Sequence, residues 1–81
     1  MTIVKNMAWI YNKYMISYAP FWRTLKDRGE STYTLINVHK VSSATLDRMR
    51  KGGGITTAKL NDFCKILHCR VEDIIEFIEE E

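Results

Sequence analysis

Three segments of the chain each begin with a serine or threonine and continue with apolar residues at helical spacing. Ser31, Ser42 and Thr56 are of the residue types that accept hydrogen bonds from the first free amides of a helix. They predict short helices at residues 32–38, at residues 43–51 and after Thr56. The third segment follows the i, i+3, i+4, i+7 pattern of a half-buried helix through Leu60, Phe63, Cys64 and Leu67. The pattern predicts a core built from short helices.

Two further helices are predicted, one on each side of these three. The first begins at Ser17 or Ala19, tolerates Pro20 in its first turn and ends before Gly29, a residue type that often follows a helix. The last covers residues 71–77, where acidic residues lie near the positive end of the helix dipole. From residue 18 onward neither strand alternation nor a hairpin turn is evident. We therefore predict an all-α fold, a compact domain of five helices.

Size and composition limit what such a domain can do. With 81 residues and one proline, the chain fits a single core and excludes a large enzyme fold. Its apolar runs are too short to cross a bilayer, and its two cysteines are too few for a disulfide scaffold. These features predict a cytoplasmic protein without a membrane partner. No catalytic triad, inward carboxylate pair or phosphate loop can be assembled, so we expect no enzymatic activity and no cofactor.

Charge is distributed unevenly along the chain. Residues 1–69 contain eleven Lys and Arg against four Asp and Glu, a net +7, whereas residues 70–81 contain one Arg against six acids, a net −5. A basic body is the first electrostatic requirement for a polyanionic partner. Solvated surface charge with a solubilising acidic C-terminus explains the same distribution.

Cys64, His68 and Cys69 are of residue types that bind metal ions. Cys64 and His68 lie one helical turn apart, but Cys64 belongs to the apolar stripe and no fourth ligand is evident. Buried thiols and a histidine at a helix end account better for these residues. We expect no metal.

Residues 31–51 have the spacing of a helix-turn-helix. A short helix and a three-residue turn precede a second helix in which Leu46 and Met49 face inward and the free side is polar. The first helix and the core fix the orientation of the second, whose free face then fits a major groove about 12 Å wide. Any helical hairpin satisfies this spacing, so it is weak evidence by itself.

The order of all the segments carries a family resemblance, through the stretch STYTLINVHKVSSATLDRMRKGGGITTAKLNDFCKILHCRVEDII. It resembles the Cro and phage-repressor type of helix-turn-helix domain, often called Xre-like, especially its short single-domain bacterial members. In those, a helix like VSSATLDRMRKG is followed by a capped helix like ITTAKLNDFCKILHC and a closing segment like VEDIIE. The resemblance covers about residues 16–78. It implies a small transcriptional regulator that binds double-stranded DNA as a homodimer.

The resemblance also implies roles for individual residues. It places base contacts at the start of the helix at residues 43–51, which would lie in the major groove. These contacts are Ser43, Ala44, Thr45, Asp47 and Arg48. Arg48 is the strongest candidate, because a guanidinium can bind O6 and N7 of guanine together. It places phosphate contacts at Thr32, Lys40, Ser42, Arg50 and Lys51. The competing interpretation is an ordinary solvated helix face, on which Asp47 pairs with Lys51 at i, i+4.

The chain departs from the family pattern at two positions. The family commonly has a small residue in the middle of the helix at residues 32–38, where this chain has Ile36. It also commonly has a glycine in the turn that follows, where this chain has Lys40. If Lys40 adopts a positive φ, the strain is on the order of 1 kcal/mol. The neighbouring His39 could take that conformation instead.

The sequence divides into an aromatic N-terminal extension (1–15), the helix-turn-helix domain (16–78) and an acidic tail (79–81). The extension has the spacing of an amphipathic helix, with an apolar stripe at Val4, Met7, Tyr11, Tyr14 and Tyr18. It could be an extra core helix, a dimer contact, or an artefact of a gene start upstream of Met15. For the whole chain, the competing function is a protein-interaction module of the same fold, antitoxin-like or an adaptor, that does not bind DNA by itself.

Overall fold

The computed structural model of the chain describes residues 14–79. Four α-helices, a short 3-10 helix and two β-strands follow one another in this part. In chain order they are β1 (Tyr14–Ser17), α1 (Ala19–Asp27), α2 (Thr32–Asn37), α3 (Ser43–Arg50), α4 (Thr57–Leu67), the 3-10 helix (Val71–Asp73) and β2 (Glu76–Glu79). The fold is therefore mostly helical with a small sheet.

The helix ends predicted from local chemistry are confirmed. The side chains of Ser31, Ser42 and Thr56 each accept a hydrogen bond from a backbone amide in the first turn of α2, α3 and α4. Pro20 occupies the first turn of α1, and Gly29 follows that helix with a φ of 72°. A positive φ at this position suits glycine, which has no Cβ to clash with the preceding turn.

The core lies between the four helices and the segment that follows α4. Its largest fully buried side chains are Phe21, Phe63, Leu35, Leu46, Leu67 and Ile74. The rings of Phe21 in α1 and Phe63 in α4 lie 4.9 Å apart, centroid to centroid. The predicted apolar stripe of α4 is confirmed, since Phe63 and Leu67 are buried and the other two members are half-buried.

Arg28 ties the end of α1 to the end of α4. Its guanidinium donates hydrogen bonds to the carbonyl oxygens of Leu67, at 2.9 Å, and His68, at 3.2 Å. These carbonyls belong to the last residue of α4 and to its C-cap, where no further helical amide is present to bind them. A cation at this end of the helix also interacts favourably with the helix dipole.

The prediction of a fifth helix over residues 71–77 is wrong. The chain instead forms the single 3-10 turn and then β2, which pairs antiparallel with β1. Met15 is opposite Ile78, and Ile16 is opposite Phe77. Such apolar side chains are at least as compatible with a strand as with a helix, and a partner strand decides between them. The all-α, five-helix description is corrected to four α-helices and a two-stranded sheet.

The amphipathic helix predicted for the N-terminal extension lies largely outside the described residues. Only its last two residues, 14 and 15, are described, and both belong to β1 and not to a helix. At the ends of this sheet, Tyr14 of β1 is opposite Glu79 of β2.

Candidate nucleic-acid interface

The helix-turn-helix is built from α2, a turn at residues 38–42 and α3. A capping box fixes the start of α2: Ser31 Oγ accepts from the amide of Thr34, and Thr34 Oγ1 accepts from the amide of Ser31. The amide of Val41 donates to the carbonyl of Leu35 at 2.9 Å, which closes the turn. The orientation of α3 relative to α2 is therefore held by backbone hydrogen bonds as well as by the core.

Lys40, rather than His39, takes the conformation that glycine takes in the family pattern. Its φ is 63°, in the left-handed region. This conformation costs a residue with a Cβ about 1 kcal/mol. His39 instead lies 3.4 Å from Glu30, which also accepts a hydrogen bond from Thr34 Oγ1 at 2.6 Å. The hydrogen bond from Thr34 is the main reason that the pKa of Glu30 is lowered, with a smaller contribution from His39.

The predicted inward and outward faces of α3 are largely confirmed. Leu46 and Met49 are buried against the core. The side chains at the opposite side are exposed, and they are Ser43, Ala44, Asp47, Arg48 and Lys51. The face thus combines short side chains, one carboxylate and two cations.

Thr45 does not belong to this exposed face. Only 4% of its surface is accessible, because its position places it beside Leu46 and Met49 on the buried side of α3. This burial leaves little of the Thr45 side chain accessible for the predicted base contact.

Arg48 lies against the glycine loop (residues 52–54) that follows α3. A Cβ built on Gly53 would be 2.6 Å from Arg48 Cγ, so the aliphatic part of the arginine occupies the space that a side chain there would need. The Tyr18 hydroxyl donates to the Gly53 carbonyl at 2.6 Å. Burial raises the pKa of Tyr18, and the nearby charge of Arg48 lowers it by a smaller amount. Within residues 14–79 the guanidinium of Arg48 makes no hydrogen bond or ion pair.

Arg50 and Asp47 form an ion pair on α3. The distance from Arg50 Nη1 to Asp47 Oδ1 is 3.0 Å, with an i, i+3 relationship, so the predicted pairing of Asp47 with Lys51 is replaced by this one. The guanidinium of Arg50 also lies over the ring of Trp22 in α1, 5.6 Å from its centroid. The guanidinium of Arg50 thus contacts both the Asp47 carboxylate and the Trp22 ring.

The remaining phosphate candidates lie at the ends of α2 and α3 and in the turn between them. Thr32 is half-buried at the first position of α2, and Ser42 is the exposed cap residue of α3. Lys40 in the turn and Lys51 at the end of α3 are exposed, and neither forms an ion pair in the part of the chain that the structure describes. These two cations are therefore available to a polyanion.

The sequence reasoning missed the support that α1 gives to this surface. The sequence predicts Tyr18 as an apolar stripe residue, yet its hydroxyl binds the Gly53 carbonyl, and the ring of Trp22 lies beneath the guanidinium of Arg50. No local signal identifies these contacts, because the partners are far apart in the chain.

Cys64 and Cys69 are free, half-buried thiols. Burial is the main reason that the pKa of Cys69 is raised, to about 11. Among residues 14–79, no group of three histidine, cysteine or acidic side chains is placed to hold a metal ion. In the same residues, no helix has the length and apolar character needed to span a membrane.

Comparisons with known proteins agree with the helix-turn-helix fold. A crystal structure titled transcriptional regulator VanUg, Form II, is similar over 95% of this chain and 100% of that chain, with a TM-score of 0.73 and 27% sequence identity. The comparison with curated proteins gave no match. The family model of the Cro/C1-type HTH DNA-binding domain matches residues 21–80, which include most of α1, the other three helices and β2. The chain therefore belongs to the Cro/C1-type helix-turn-helix DNA-binding family.

Proposed function

We propose that this protein binds double-stranded DNA sequence-specifically, with α3 in the major groove, and acts as a small transcriptional regulator. The observation that carries the proposal is the exposed face of α3, on which the donors of Arg48 are not engaged by any other described residue. Family membership supports DNA binding, and the similar structure is titled a transcriptional regulator. In this proposal α3 supplies the base contacts, through Ser43, Ala44, Asp47 and Arg48.

The roles on this face follow from side-chain chemistry. Arg48 can donate two hydrogen bonds to O6 and N7 of one guanine, a contact worth about 1–3 kcal/mol of discrimination. Ala44 can contact a thymine methyl group, whereas the hydroxyl of Ser43 suits several base edges and so discriminates little. Thr32, Lys40, Ser42 and Lys51 bind phosphates and fix the register of α3.

One recognition helix covers only a few base pairs, which is too little to define a site in a genome. We therefore propose a homodimer on DNA, which reads inverted half-sites one helical turn, about 34–36 Å, apart. Duplexes selected by the protein from a random pool should then contain an inverted repeat with this spacing.

Selection followed by mutagenesis tests the proposal. Once a preferred duplex is known, Arg48→Ala should remove the preference at one base pair per half-site, while Lys51→Ala should weaken binding to all sequences alike and reduce the salt slope by about one. Lys26→Ala, an exposed cation on α1, is the control for loss of one positive charge.

Two results would contradict the proposal. Equal effects of Arg48→Ala and Lys51→Ala on all sequences would refute the base contact. Failure of the wild-type protein to bind any duplex at low salt would refute DNA binding and favour the protein-interaction module.

A further inference from the structure

We propose that Arg50 is a positioning residue for base recognition, which holds Asp47 so that its carboxylate accepts a hydrogen bond from the exocyclic amine of a cytosine. This inference rests on the proposed function. It gives Arg50 a role other than the phosphate contact predicted from the resemblance, and it names a base preference for α3 besides that of Arg48.

A continuous set of contacts anchors Arg50 to the core. Phe21 is fully buried and lies 4.9 Å from the ring of Phe63. Trp22 meets Phe21 edge to face, at 4.7 Å between ring centroids, and the guanidinium of Arg50 lies over Trp22 at 5.6 Å. A guanidinium over an indole face is held by the ring quadrupole. The position of Arg50 is therefore set by the packing of α1 against α4.

Arg50 in turn restricts the side chain of Asp47. Its Nη1 donates to Asp47 Oδ1 at 3.0 Å, while Oδ2 has no hydrogen bond within residues 14–79. The Asp47 side chain is 65% exposed, on the face of α3 that also bears Ser43 and Ala44. An exposed ion pair contributes little to stability. Its main effect is thus to favour one orientation of a carboxylate that keeps one oxygen available.

The chemistry of a carboxylate selects among the base pairs. An ionised carboxylate only accepts hydrogen bonds, so the acceptors of guanine (O6 and N7) and thymine (O4) repel it. Cytosine presents the N4 amine and no acceptor in the major groove, whereas adenine presents its N6 amine beside the N7 acceptor. A fixed carboxylate therefore prefers cytosine to the other three bases.

The experiment measures binding of the full-length protein to its selected duplex and to duplexes with each base pair changed in turn to the other three. We expect one position at which wild type prefers cytosine by at least about fivefold, within the range usual for a single mismatched pair. Asp47→Asn should abolish this preference. Arg50→Gln should reduce it at the same position, and the double variant should show no loss beyond that of Asp47→Asn.

Arg70→Gln is the matched control. Arg70 and Glu72 form an exposed ion pair of the same length, 3.0 Å, outside the helix-turn-helix. Removing that arginine should leave base preference unchanged, and melting temperatures should show that all variants remain folded.

Three outcomes would overturn the inference. If Arg50→Gln weakens binding to every duplex equally and lowers the salt slope by one, Arg50 is a phosphate contact. If Asp47→Asn retains the cytosine preference, the carboxylate does not read the base. If wild type binds no duplex at low salt, the inference fails together with the proposed function, whereas in the first two cases DNA binding by α3 with base recognition through Arg48 stands.

Discussion

Replacing Gly53 by alanine should displace Arg48 without unfolding the domain. The new Cβ would be 2.6 Å from Arg48 Cγ and 3.2 Å from the Arg48 carbonyl oxygen. Carbon atoms in contact are normally about 3.5–4.0 Å apart, so one of the two groups must move by about 1 Å. The Gly53 backbone is held at both ends, since its amide donates to the Arg48 carbonyl at 2.8 Å and its carbonyl accepts from Tyr18 at 2.6 Å. The arginine side chain is therefore the part that moves.

The expected effects on stability and on binding differ in size. Forcing Arg48 from its rotamer costs about 0.5–1.5 kcal/mol. The smaller conformational freedom of the unfolded chain offsets about 0.4–1 kcal/mol of this. The net change in the free energy of unfolding is thus within about 1 kcal/mol, a shift in melting temperature of at most about 8 °C. In contrast, a guanidinium displaced by about 1 Å loses the geometry of a bidentate contact, so the preference for guanine should fall as it does in Arg48→Ala.

Gly54→Ala provides the control. A Cβ on Gly54 meets no atom within 4 Å, and its φ lies outside the left-handed region. This variant should bind with wild-type preference and be equally or slightly more stable. Thermal melting and binding to the base-substituted duplexes should be measured for both variants. A Gly53→Ala protein with the wild-type base preference would show that Arg48 does not read a base from this position.

Two further substitutions test the core and the turn. Leu67→Ala should lower the free energy of unfolding by about 2–5 kcal/mol, because Leu67 is 1% exposed in the core, and melting near the wild-type temperature would contradict its central place. Lys40→Gly should relieve about 1 kcal/mol of left-handed strain, yet weaken binding to all duplexes alike through the lost cation. His68→Gly is the control, because His68 is a second left-handed residue with a side chain among residues 14–79 and should relieve similar strain without changing DNA binding. Equal binding losses in both glycine variants would argue against the phosphate contact of Lys40.

Much of the helix-turn-helix is encoded locally, which is why the sequence predicts it. The caps at Ser31, Ser42 and Thr56 involve amides two or three residues away, so they do not depend on the rest of the fold. The inward positions of Leu46 and Met49 follow from helical spacing as well. The sequence does not determine which residue of the turn takes the left-handed conformation, since both His39 and Lys40 are candidates for it.

The sequence by itself did not determine the C-terminal strand or the detailed arrangement of the α3 face. Ile78 becomes part of a strand because it meets Met15, which lies near the other end of the chain. Arg50 turns toward Asp47 and Trp22, and Arg48 lies along Gly53, because α1 and the glycine loop pack beside α3. Local hydrogen bonding and periodicity determined the helices and their buried sides. Only tertiary packing decided which exposed side chains are held and which remain available, because the groups that hold them are brought together by the core.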